Sequence, residues 1–143
     1  VLINGRCHCA NIVFKLDWPD GHGEVPARAC SCSFCTKHGG VWTSSPAAKL
    51  SVAVQDAALV SKYAFGTETA VFHICARCGA VPLVSSEIAG HLYAVVNVNT
   101  FEGFDRSQLR RVAANFDAED VATRLARRSK NWIADVRITE AGA

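Results

Sequence analysis

The chain has 143 residues, 50% of them hydrophobic and 20% charged, with a formal net charge of +2. That length and apolar content suffice for one core, and no Pro/Gly/Ser-rich linker divides it, so residues 1–143 are expected to form a single domain. No run approaches the ~20 apolar residues of a membrane span, and no charged-then-apolar leader opens the chain, which sets the expectation of a cytoplasmic protein with no membrane partner.

In chain order, strands are predicted at Asn11 to Leu16, Leu50 to Val54, Leu59 to Phe65, Val71 to Ile74, Val81 to Val84 and His91 to Val98. Each is rich in β-branched or aromatic residues and is bounded by turn formers. One helix is predicted, Ala118 to Arg128, where Ala118, Val121, Ala122, Leu125 and Ala126 recur at helical spacing. Its stripe is mostly alanine, so it is expected to lie close against a sheet. Asp117, Glu119 and Asp120 mark its N-terminus, and Arg124, Arg127, Arg128 and Lys130 are read as complementing the macrodipole at the other end. The result is a mainly antiparallel β domain with a C-terminal helix.

Between these elements stand seven cysteines, in Cys7-His8-Cys9, Cys30-Ser31-Cys32-Ser33-Phe34-Cys35 and Cys75-Ala76-Arg77-Cys78-Gly79. An odd number cannot close into intramolecular disulfides without leaving one thiol over, and pairs separated by one or two residues have the spacing of chelates. Zinc is the expected ion. Seven divides into four plus three. Cys30, Cys32 and Cys35 lie in one short loop and can converge on one ion, leaving Cys7, Cys9, Cys75 and Cys78 for a closed tetrahedral site that supplies folding free energy. Three ligands leave a coordination position for water, a thiol or a fourth side chain. The alternative is that His8, His22, His38, His73 or His91 closes the second site, His38 being nearest in sequence.

Two zinc ions with seven thiolates would turn the formal +2 into about −1. The apparent basicity therefore carries no argument for nucleic acid, and no aromatic interleaving accompanies the arginines.

Three motifs resemble those of the glutathione-dependent formaldehyde-activating enzymes, a domain shared with centromere protein V. They are Gly5-Arg6-Cys7-His8-Cys9 with the strand that follows, Cys30-Ser31-Cys32-Ser33-Phe34-Cys35-Thr36-Lys37-His38-Gly39, and Phe72-His73-Ile74-Cys75-Ala76-Arg77-Cys78-Gly79. Ala10 stands where that family has glycine. The resemblance implies an Mss4-like β-tent, antiparallel sheets clipped together by zinc. It implies a structural zinc on Cys7, Cys9, Cys75 and Cys78 and a catalytic zinc on Cys30, Cys32 and Cys35. It also implies carbon–sulfur lyase chemistry that forms or cleaves an adduct between an aldehyde and a thiol such as glutathione, for example S-hydroxymethylglutathione. Lys37 matches the family's lysine and is the candidate for binding the carboxylates of glutathione. No general base is assigned. Trp18, Trp42 and Trp132 are candidates either for a cleft lining or for the core. The competing reading is a non-catalytic zinc module that binds a protein, a thiol metabolite or nucleic acid. A homodimer is compatible with the apolar content, although no symmetric interface is legible.

Overall fold

The structure is a computed structural model that describes residues 1–20 and 24–142. In chain order it contains β1 (Leu2–Arg6), β2 (Ile12–Asp17), β3 (Val25–Cys30), α1 (Ser33–His38), β4 (Val41–Thr43), β5 (Lys49–Val54) and β6 (Val60–Tyr63). There follow β7 (Val71–Cys75), β8 (Leu83–Ile88), β9 (His91–Asn97), β10 (Phe101–Glu102), β11 (Leu109–Ala114), α2 (Val121–Asn131) and β12 (Asp135–Glu140). Two sheets result, one ordered β10-β1-β2-β5-β12 and the other β11-β3-β4-β9-β8-β7-β6. The expectation of a mainly β domain with a C-terminal helix is met. No helix among the described residues is long and apolar enough to cross a membrane.

Alternation builds the first sheet. Ile12, Phe14 and Leu16 of β2 face the core opposite Val54, Val52 and Leu50 of β5, and all six are buried. Gly5 lies across from Phe14 in the β1–β2 pair, and a Cβ at Gly5 would fall inside the Phe14 ring. Gly5→Ala is therefore expected to destabilise the domain by about 1–3 kcal/mol through overpacking, read as a lower urea midpoint at constant m-value.

Most strand pairs are antiparallel, but β3 pairs with β11 and β5 with β12 in parallel. The mainly antiparallel expectation therefore holds, with these two parallel pairings as additions to it. They join segments far apart in sequence, and local alternation carries no information about such partners. The strand expected at Val81 to Val84 instead begins at Leu83, because Pro82 has no N–H to give a ladder. Asn97 covers the gap: its backbone N–H donates to the Pro82 carbonyl and its side chain to that of Val81.

The helix is displaced and turned relative to expectation. It starts after Asp120, whose carboxylate accepts from the Thr123 N–H at 2.7 Å, and it runs to Asn131. Val121, Ala122 and Ala126 are exposed, whereas Arg128 is buried. The face turned inward is thus the arginine face, and the alanine stripe points outward. Long arginine stems bury their methylenes and deliver the guanidinium into a polar recess, which a hydrophobicity count does not register.

Candidate functional site

The first sulfur cluster joins the two sheets. Cys7 and Cys9 follow β1 of one sheet, while Cys75 ends β7 of the other and Cys78 lies in the turn beyond it. All four sulfurs lie within 4.8 Å of one another. Cys7 and Cys9 are 3.8 Å apart and Cys9 and Cys75 are 3.5 Å apart. Sulfurs at ~2.3 Å from a tetrahedral ion sit about 3.8 Å apart, so the set suits zinc in size and chemistry. Backbone donors converge on it as well. The Ile12 N–H reaches the Cys7 sulfur at 3.3 Å.

The turn is shaped by residues with positive φ. Gly79, at φ 82°, directs its N–H to the Cys75 carbonyl at 2.8 Å, so the Cys75 to Cys78 segment closes tightly. On the other side Ala10 is held at φ 67°, a left-handed conformation that a Cβ disfavours. That is the position where the resembling family has glycine. Ala10→Gly is expected to stabilise the domain by about 1 kcal/mol, net of the entropy glycine gains when unfolded. A rise of a few degrees in Tm would register it, and no rise would show that the turn holds alanine without strain.

The second cluster is made by β3 and α1. Cys30 ends β3, while Cys32 is the N-cap of α1, its sulfur accepting from the Cys35 N–H at 3.3 Å. Cys35, three residues on, returns to the same side after one helical turn. The short loop expected here is therefore a capped helix, ended by Gly39 at φ 72°. The three sulfurs lie within 4.8 Å of one another, and no histidine or carboxylate of the described residues joins them. Trp42 on β4 donates from its indole N–H to the buried Cys35 sulfur at 3.4 Å.

Without a metal, each cluster divides its protons unequally. Cys30 is pulled down to about 6, first by the hydrogen bond from Cys35, and Cys35 is pushed up by the same bond and by burial. Burial pushes Cys7 up to about 12. Cys78 is held down to about 6: burial opposes this, but the backbone N–H groups of Ala80 and Cys9 and the neighbouring thiols outweigh it. Each cluster thus sets one sulfur low and another high, Cys30 against Cys35 and Cys78 against Cys7, and a dication would relieve that competition by holding the ligands as thiolates.

The candidate histidines lie elsewhere. His38 packs among Phe34, Trp42 and Phe72, tilted on the first at a centroid distance of 4.4 Å and edge-on to the other two. His73 is buried against Ser85, Nε2 to Oγ 2.8 Å, and burial lowers its pKa to about 4. His8 is exposed, and Nε2 of His91 meets the Ala134 carbonyl at 2.6 Å. His22 lies outside the described residues.

The three-sulfur set opens on a cavity of about 290 Å³. Trp42, Phe65, Phe72 and Trp132 form much of its apolar lining, so two of the three candidate tryptophans face it, while Trp18 belongs to the core. Its charged lining is Arg28, Arg124, Arg127, Arg128 and the exposed Asp117. Arg28 donates to the Ser44 hydroxyl at 3.2 Å, and that hydroxyl donates to the Asn131 carbonyl at 3.0 Å, tying β3 to the end of α2. Lys37 is exposed on α1 and does not line this cavity. The sequence reading passed over Arg28 and read Arg124, Arg127 and Arg128 only as complements to the helix dipole. Arg28 sits two residues before Cys30 on the same face of β3, and that spacing was the one signal that could have found it.

The model of the family described as glutathione-dependent formaldehyde-activating enzyme matches residues 2–118. The chain belongs to this family. A crystal structure of a Rhodobacter sphaeroides protein is similar, with 25% identity and a TM-score of 0.55, covering 76% of this chain and 99% of that chain. No curated protein matches. The match to the formaldehyde-activating family takes in both sulfur clusters and Arg28, and it ends before α2, so Arg124, Arg127 and Arg128 lie beyond it.

Proposed function

We propose that the chain is a zinc-dependent carbon–sulfur lyase that forms or cleaves an adduct between an aldehyde such as formaldehyde and a thiol such as glutathione. The observation that carries this reading is the Cys30, Cys32 and Cys35 set. It has three sulfurs, no fourth side-chain donor among the described residues, and an adjoining cavity with cationic and aromatic lining. A structural zinc site closes with four protein ligands, whereas a reactive one keeps a position for substrate. Cys7, Cys9, Cys75 and Cys78 then hold a structural zinc.

When bound, a zinc ion on Cys30, Cys32 and Cys35 would supply a coordination position at which a thiol loses its proton at neutral pH. The remaining contributions come from side chains. Trp42 fixes Cys35 through its indole N–H, which keeps the α1 ligands oriented toward the cavity. Phe65, Phe72 and Trp132 limit water around the reacting sulfur, which would otherwise be hydrated and a weaker nucleophile. The arginines offset the negative charge of the substrate carboxylates. In the forward direction the thiol sulfur bonds to the aldehyde carbon. The carbonyl π pair moves to oxygen, which takes up a proton, so the proton lost from sulfur and the one gained by oxygen balance.

Exchange NMR with carbon-13 formaldehyde and glutathione tests the proposal. The zinc-loaded protein is expected to interconvert them with S-hydroxymethylglutathione faster than the spontaneous rate. Exchange no faster than in buffer, with two zinc ions per chain confirmed, would overturn the catalytic reading in favour of a binding module.

A further inference from the structure

Of the three arginines that α2 contributes to the cavity, Arg127 is already matched. Its Nε donates to both carboxylate oxygens of Glu119 at 3.0 Å, and its guanidinium lies 3.6 Å from the centroid of the Phe116 ring. Arg128 is placed differently. It is 7% exposed, and its guanidinium carbon lies 5.0 Å from the centroid of the Trp132 ring. Nη1 donates to the Thr69 hydroxyl at 2.8 Å and to the Ser86 hydroxyl at 3.3 Å. Its Nε is buried without an acceptor, and no carboxylate pairs with it among the described residues. Arg124 shares this condition. Nη2 donates to the Phe116 carbonyl at 2.9 Å, and its Nε is also buried without an acceptor.

Two cations that line the cavity and donate only to hydroxyls and a carbonyl are incompletely compensated, since the exposed Asp117 in the same lining forms an ion pair with neither. Burial, and then repulsion from Arg127 and Arg124, lower the Arg128 pKa to about 10, so it stays charged at neutral pH. The hydroxyls and the indole hold the guanidinium in one orientation before any ligand arrives, and that preorganisation reduces the entropy lost on binding. A carboxylate is the group that complements such a site, by charge and by its two acceptor oxygens.

We propose that Arg128, with Arg124 beside it, receives a carboxylate of the thiol ligand, so that α2, outside the family-matched segment, determines which thiols this chain accepts. The inference rests on the reading that a thiol occupies this cavity. It excludes neutral thiols and cationic aminothiols as good ligands and favours peptidic thiols bearing a carboxylate away from the sulfur.

The test uses S-methylglutathione, which keeps both carboxylates but has no thiol, and its diethyl ester, titrated calorimetrically into the zinc-loaded full chain. The acid is expected to bind at least tenfold more tightly than the ester. Arg128→Gln is expected to weaken the acid tenfold or more while leaving the ester unchanged, and Arg124→Gln to weaken the acid in the same direction. Equal affinity of acid and ester, no binding of the acid, or wild-type affinity in both variants would overturn the proposal. Failure here is distinguishable from failure of the lyase reading. Accelerated exchange with an unchanged KM for glutathione in both variants overturns the carboxylate receptor alone. Arginine-dependent binding of the acid supports the receptor even where exchange is not accelerated.

Discussion

Cys78→Ser is expected to unfold the domain at neutral pH, with loss of near-UV circular dichroism and of the zinc bound at the four-sulfur site. The cluster is a junction between the two sheets, and no disulfide does the same task, since all seven cysteines are free thiols. Structural zinc contributes on the order of 10–16 kcal/mol in small metal-dependent domains, which matches or exceeds the ~5–15 kcal/mol net stability of a typical domain. A serine hydroxyl is a poor replacement, because it does not ionise at neutral pH as a coordinated thiol does. The half-buried position of Cys78 does not soften the effect: the loss is of a ligand, and its three partners Cys7, Cys9 and Cys75 would be left as a crowded set of thiols. A Cys78→Ser protein that keeps its fold and two zinc ions would remove the structural role from this cluster.

Cys32→Ser is expected to give the opposite result, a folded protein with one zinc ion and no acceleration of glutathione–formaldehyde exchange. Cys32 has two tasks, capping α1 and offering a sulfur to the three-cysteine set. Serine performs the first well, being among the favoured N-cap residues, so α1 is expected to keep its place. It fails at the second. The set borders the smaller apolar cluster that holds Trp42, Phe72 and Trp132, so losing its ion leaves the larger core around Leu16 and Val96 intact. A Tm within a few degrees of wild type, with metal content halved and exchange at the spontaneous rate, is the expected pattern. Equal thermal losses in Cys32→Ser and Cys78→Ser would sink the division of roles.

The legible part of the fold was its local part. β-Branched and aromatic content between turn formers located β2, β5, β7 and β9 to within a residue or two, and in β2 and β5 the buried face follows the period of two that residue order writes directly. Strands β3, β11 and β12 escaped. Val25 to Cys30 and Leu109 to Ala114 each carry arginines and small residues, and they pair with each other in parallel across most of the chain, β3 also pairing with β4 on its other edge. Helix α2 was recognised but turned the wrong way, because alanine spacing suggested an apolar inner face where the cavity takes arginine.

By itself, the sequence determined the cysteine chemistry. Spacing within each motif limits how far two sulfurs can be apart, so chelating pairs follow from chain geometry alone, and the closeness of Cys30, Cys32 and Cys35 leaves the two distant pairs to join as a set of four. The tertiary structure decided which groups meet those sulfurs. Arg28 of β3, Trp42 of β4 and the arginines of α2 with its C-cap Trp132 come from three separate elements, and their convergence depends on β3 lying beside β4 and β11 and on α2 packing against β8. Charge and aromatic surface are distributed along the whole chain, and only three-dimensional pairing selects the few residues that share one cavity.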